Sequence, residues 1–133
     1  MTSVPLFVNG GGMRGGPLNP GIAAHPFLRA ARTAPRYRFY SVRDEFPALW
    51  PVESGGVSVV GELYDVPLAV IRDVFMPNEP PELELGVVEL EDGGDALVVL
   101  LRAAAHASGE GLRDISDVAD WRAYRGLPVP GGD

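Results

Sequence analysis

The alternation of apolar and polar positions divides the chain into short extended runs separated by Gly- and Pro-rich breaks. Pro5 to Val8 is a compact apolar run and reads as a first strand. Phe27 to Ala31 reads as a second. Tyr37, Phe39 and Ser41 alternate with Arg38 and Tyr40, which predicts a strand with those three on one face. Ala48 to Val52 is apolar but bracketed by Pro47 and Pro51, so it is expected at a sheet edge. Val57 to Tyr64 places Val57, Val59, Gly61 and Leu63 on one face, and Ser58, Val60, Glu62 and Tyr64 on the other. Gly61 in mid-strand implies a bulge or a close backbone approach. Leu83–Glu91 and Asp95–Leu101 flank Asp92-Gly93-Gly94, the pattern of a hairpin.

Two stretches switch to helical spacing. Leu68, Ile71 and Phe75 share a face after Pro67, which predicts a helix over about 66–76. Ser116 stands as a cap before acids, and Arg122, Arg125 and Gly126 follow; this predicts a helix over 117–125 with Trp121 buried. Leu18 to Ala24 is irregular or a short helical turn, and Ala103 to Gly109 fits either a strand end or a helix. Strands in hairpins with one helical crossover make an α+β fold with a mixed or antiparallel sheet, curled toward a small barrel with a few external helices. The 133 residues suit one domain, 1–133, whose segment 126–133 is a loose Pro/Gly tail.

Composition narrows the function. The net charge of −7 argues against nucleic acid or an anionic membrane as the main partner. There is no apolar run of membrane-spanning length and no secretory pattern at the start of the sequence. The absence of cysteine removes thiol chemistry and cysteine-bound zinc, and it is compatible with a cytoplasmic location. His25 and His106 lack metal-ligand spacing, so no metal and no cofactor is expected. No serine lies in a nucleophile elbow.

The chemistry on offer concentrates in Asn9-Gly10-Gly11-Gly12-Met13-Arg14-Gly15-Gly16, the loop after the first strand. Its glycines allow the backbone to approach a ligand, its N–H groups can converge on an anion, and Arg14 can pair with a carboxylate. The loop is read two ways: a flexible turn, or a cradle for a small anionic or amide-bearing molecule. It has no Gly-Lys-Ser/Thr and is followed by Pro17, Asn19 and Pro20, so neither a P-loop nor a dinucleotide site fits. Glu79, between Pro77 and Pro80-Pro81, is likewise either a surface acid or a carboxylate aimed into a cavity, where desolvation would make it a general acid or base.

Several of these segments resemble a known family. Phe7-Val8-Asn9-Gly10…Met13-Arg14-Gly15 is similar to the N-terminal signature of γ-glutamylcyclotransferase-like domains. Tyr37-Arg38-Phe39-Tyr40-Ser41, Phe46-Pro47-Ala48-Leu49 and Gly61-Glu62-Leu63-Tyr64-Asp65 follow in that family's order. Within the superfamily, Asn9, the Pro80-Pro81-Glu82-Leu83 loop and the ending Trp121-Arg122-Ala123-Tyr124 are most similar to the C-terminal domain of allophanate hydrolase. The resemblance covers about residues 6–125. It implies a small mixed barrel whose cavity lies between the glycine loop and the acidic loop. It further implies a small-molecule substrate, a carboxylated urea or a γ-glutamyl-type amide, held by Asn9, Gly10, Gly11, Gly12, Met13 and Arg14. Glu79 matches the proton-transferring glutamate, and a separate amidase is an implied partner. Asn9 replaces the cyclotransferase tyrosine, and Gly11-Gly12 replaces Thr/Ser-Leu. A non-catalytic ligand-binding or partner-docking domain is the alternative.

Overall fold

In the computed structural model, which describes residues 2–130, the strands are β1 (Ser3–Val8), β2 (Phe27–Arg32), β3 (Tyr37–Val42), β4 (Phe46–Pro51), β5 (Val60–Pro67), β6 (Leu83–Glu89), β7 (Asp95–Leu101) and β8 (Leu112–Asp114). They form one sheet in the order β2-β5-β1-β7-β4-β3-β8, with β6 also on β7. β7 pairs parallel with β1 and β4, and the other pairings are antiparallel. The sheet is mixed, curls into a half-barrel and carries a few short helices outside it.

A strand has two hydrogen-bonding edges. β6 occupies one edge of β7 along its whole length, from Leu83↔Leu101 to Glu89↔Asp95. The other edge is shared: β1 meets it at Leu6↔Leu97 and β4 at Leu49↔Leu100. β1 and β4 therefore part beside Val98 and Val99, and the sheet forks there. The main core, including Phe7, Phe39, Leu49, Leu63, Val88 and Val98, fills the curl of the sheet. A second cluster of Val42, Ala48, Leu83 and Leu101 lies under the helix Ala103–Ser108. That helix stops at Gly109, whose φ of 69° gives the left-handed cap.

The expected edge strand is internal: β4 lies between β3 and β7. Its prolines are tolerated because β4 shares only the Leu49 register with β7. The strand expected at 57–64 runs instead over Val60–Pro67, because β1 extends back to Ser3 and pairs Val4 with Val66 and Ser3 with Pro67. Pairing partners thus override the helix-start signal at residues 65–67, and helix begins at Leu68. It runs over 68–78 as an α turn (Leu68–Val70), a π turn (Ile71–Phe75) and a 3-10 turn (Met76–Asn78), with Ile71 and Phe75 buried.

The closing helix is shorter than expected, Trp121–Arg125, because Ala119 adopts a φ of 55° and interrupts the segment. Asp120 is its cap, accepting from the Ala123 amide. The Ser116 hydroxyl instead accepts from the Phe39 amide at 2.8 Å and ties the segment to β3. Trp121 is buried. Of the expected tail, residues 126–130 turn back so that Pro130 stands over Gly15; residues 131–133 lie outside the described residues. No helix among the described residues is long and apolar enough to cross a membrane.

Gly61 is the point of close approach. A Cβ there would fall 2.3 Å from Phe7 Cζ and 2.5 Å from the Val8 carbonyl oxygen. Gly61→Ala forces β1 and β5 apart and is expected to destabilise the fold by about 1–3 kcal/mol, the range for overpacking a dense core, as measured by urea unfolding.

Candidate functional site

The fork in the sheet opens into a cavity of about 230 Å³. Phe7 and Val8 of β1 form one bank, and Phe46 and Pro47 of β4 the other. Val99 and Leu83 lie at the back, and Phe75 and Trp121 close the sides. The mostly apolar walls are crossed by two polar segments, the glycine loop and the loop carrying Glu79.

The glycine loop is held by its carbonyls. Gly10 O accepts from Met13 N at 3.0 Å, and Gly11 O from Leu18 N at 2.9 Å. Gly12 O accepts from Asn19 Nδ2 at 2.9 Å. Met13 O accepts from Gly16 N at 2.8 Å, and Arg14 O from Arg122 Nη2 at 2.7 Å. In a trans peptide the N–H points opposite to the C=O. Anchoring the carbonyls of Gly10 and Gly11 therefore turns the amides of Gly11 and Gly12 the other way. The amides of Gly10, Gly11 and Gly12 have no acceptor among the described residues. Successive undirected amides of this kind form a concavity for an anion or a carbonyl oxygen. Asn9, largely buried, adds its side-chain amide to the same wall.

Of the six loop residues expected to contact a ligand, Asn9, Gly10, Gly11 and Gly12 line the cavity, and Met13 and Arg14 do not. Met13 is packed into the main core. Arg14 turns away to Glu62, a carboxylate with 1% of its surface exposed in β5. Arg14 N donates to Glu62 Oε1 at 2.9 Å, and Arg14 Nε to Oε2 at 3.0 Å. Its guanidinium also covers the Phe27 ring at 4.5 Å. Arg122 Nη2 makes a further contact to Glu62 Oε2 at 3.1 Å. The alternation puts Glu62 on the strand face opposite Gly61 and Leu63, and both faces of β5 are buried there. The glycine loop covers the Glu62 face, which nothing in the local alternation signals.

Glu79 follows the 3-10 turn, its N–H donating to Met76 O at 3.0 Å, and borders the cavity with Asn78 and Pro80. Burial pushes its carboxyl from the ordinary 4.5 up to about 7. The loop after it is fastened from two directions: Arg43 Nη1 holds Glu82 Oε2 at 2.8 Å, and Arg102 Nε donates to Pro81 O at 3.0 Å. Glu45 is a second carboxylate at the rim, exposed and paired with Arg43 at 3.3 Å. It lies in the β3–β4 turn, where Arg43 and Asp44 take positive φ. That turn is held to the closing helix: the Tyr124 hydroxyl donates to Asp44 Oδ1 and Arg125 Nη1 to Asp44 O. Glu45 and Glu79 are the charged side chains on the lining, and the other polar groups there are the loop amides, Asn9 and Asn78. The turn residues and Trp121 were not recognised as cavity walls from the sequence, because only the fork brings them there. Neither histidine borders the cavity; His106 stacks on Trp50 at 3.8 Å. Among the described residues, no three His, Cys, Asp or Glu side chains are grouped as a metal site would require.

The profile of the allophanate hydrolase C-terminal domain matches residues 4–126. Among solved structures, a uropathogenic Escherichia coli-specific protein is 38% identical with a TM-score of 0.86, covering 95% of this chain and 98% of its own. The S177A allophanate hydrolase of Kluyveromyces lactis is 25% identical over 94% of this chain, with a TM-score of 0.83; the match takes up 21% of that chain. The urea amidolyase of the same yeast is 26% identical over 95% of this chain, with a TM-score of 0.84, and the match takes up 8% of that chain. No curated protein matches.

The raised value at Glu79 has a consequence for stability. Between pH 4.5 and about 7 the folded protein keeps a proton that the unfolded chain has lost, so stability falls as pH rises through this window. Glu79→Gln removes that fall. Relative to wild type, the variant is expected to gain on the order of 2–3 kcal/mol between pH 4 and pH 8 in urea unfolding. An offset independent of pH would mean that the carboxyl is solvated in the folded state.

Proposed function

Because the chain belongs to the allophanate hydrolase C-terminal domain family, we propose that the whole chain is one such domain acting on a small carboxylated urea or γ-glutamyl-type amide, with Glu79 as acid and base. The observation that carries this reading is the pairing, on one cavity wall system, of unengaged amides at Gly10–Gly12 with a desolvated carboxyl near neutrality. The amides donate to the carboxylate, or to the carbonyl oxygen on which negative charge develops. Glu79, divided between its two forms near pH 7, takes a proton from the attacking group and returns it to the leaving nitrogen. Asn9 orients the amide of the substrate. Arg14 and Met13 support the loop from behind rather than touching the ligand.

The yeast allophanate hydrolase and urea amidolyase carry a region of this kind within much longer chains. We propose that a separate amidase supplies or consumes the small molecule here, and that the site of action is cytoplasmic, in keeping with the cysteine-free sequence. The second reading, a binding or docking domain without turnover, draws on Gly11 and Gly12, which bring no hydroxyl to the site.

Turnover of allophanate and γ-glutamyl amino acids separates the two readings. An enzyme is expected to lose roughly 10²–10⁴-fold in kcat on Glu79→Gln, with substrate binding little changed. An unchanged rate removes Glu79 from the mechanism, and binding without turnover in the wild type selects the docking reading.

A further inference from the structure

Glu62 is almost wholly buried, yet it is not in the cavity. A carboxylate this deep is stable only if both oxygens are satisfied, and three donors satisfy them: Arg14 N on Oε1, and Arg14 Nε with Arg122 Nη2 on Oε2. The same Arg122 Nη2 also reaches Arg14 O at 2.7 Å. The three side chains come from the glycine loop, β5 and the closing helix. Their contacts grip the loop at the Arg14 peptide nitrogen and at the Arg14 carbonyl, just beyond the three amides that have no acceptor among the described residues. Asn19 adds a third grip, its Nδ2 donating to Gly12 O at 2.9 Å and to the Tyr64 hydroxyl at 3.0 Å. Two guanidiniums against one carboxylate leave net positive charge behind the loop. That favours an anion on its other side.

We infer that Glu62 and Arg122 are positioning residues, which act through the loop backbone to hold the Gly10–Gly12 amides in their ligand-binding arrangement. The inference rests on the reading that those amides receive the ligand. A glycine-rich loop has many accessible backbone conformations and would otherwise lose binding free energy on ordering. Fixing it in advance removes that loss. Glu62 also gives Arg14 its function: the loop arginine recognises the protein's own carboxylate, and the ligand is recognised by the backbone that Arg14 steadies.

The test uses malonamate, which carries a carboxylate and an amide in the arrangement of a carboxylated urea without its labile N–carboxyl bond. Amide resonances of the ¹⁵N-labelled protein are followed in wild type, Glu62→Gln, Arg122→Met and Arg122→Lys. In the unliganded variants Glu62→Gln and Arg122→Met, the Gly10–Gly12 resonances are expected to shift and broaden while those of the β6–β7 hairpin stay in place. The Kd for malonamate is expected to rise about tenfold or more, as misplacement of a positioned contact does. Arg122→Lys, which keeps the charge, is expected to recover part of that loss, a rescue that a purely structural role does not require. If Glu62→Gln does not fold, Arg122→Met carries the same comparison. Sharp, unmoved Gly10–Gly12 resonances in the folded variants, or a Kd within about twofold of wild type, would overturn the inference. If wild type itself fails to bind malonamate, the substrate reading is what fails, and the spectra of the unliganded variants still decide whether Glu62 and Arg122 order the loop.

Discussion

β7 has two edges and three neighbours, and the site exists because of that mismatch. β6 takes one edge completely. β1 and β4 divide the other between Leu97 and Leu100. Two strands leaving one edge cannot stay hydrogen-bonded to each other, so a gap opens in the middle of a sheet that is otherwise continuous. Apolar side chains from both strands line the gap, and the loop that ends β1 and the turn that starts β4 become its lips. The prolines of β4, poor residues for a central strand, are accommodated because the fork leaves most of that strand without a partner on the β7 side.

Within the gap, charge is arranged with little help from side-chain cations. Arg14, the obvious cationic candidate, is committed to Glu62, and Arg43 is committed to Glu45 and Glu82. What remains is a set of peptide amides lining the same cavity as a carboxyl that burial has brought to about 7. Two carboxylates at the lining, Glu45 and Glu79, oppose a dense negative charge there.

Much of this was legible in the sequence, and what was not has a common cause. The β6–β7 hairpin was readable because Asp92-Gly93-Gly94 sits between two β-rich runs, a purely local signal. The alternation of Tyr37, Phe39 and Ser41 gave the buried face of β3 correctly. Asn9 to Gly12 and Glu79 could be singled out by residue type and by likeness to a family, and the fold brings them to one cavity. Most of the failures required knowing a distant partner. β5 runs on through Val66 and Pro67 because β1 is there to pair with it, and Ser116 does not cap the closing helix because its hydroxyl bonds Phe39, while Ala119 with positive φ interrupts the segment. Arg14 and Glu62, 48 residues apart, read separately as a ligand-facing cation and a residue on one face of a strand; only their contact reveals that each neutralises the other.

The closing helix touches both lips of the cavity. Trp121 stands in its wall, Arg122 holds the glycine loop, and Tyr124 and Arg125 hold the β3–β4 turn through Asp44. All eight strands are complete by Asp114. None of the strand pairings runs through these residues, whereas both lips of the cavity are fastened by them. Removing residues 121–125 takes away one wall of the cavity and both fastenings together. One short helix thus ties together two loops that lie far apart in the sequence, the glycine loop after β1 and the β3–β4 turn.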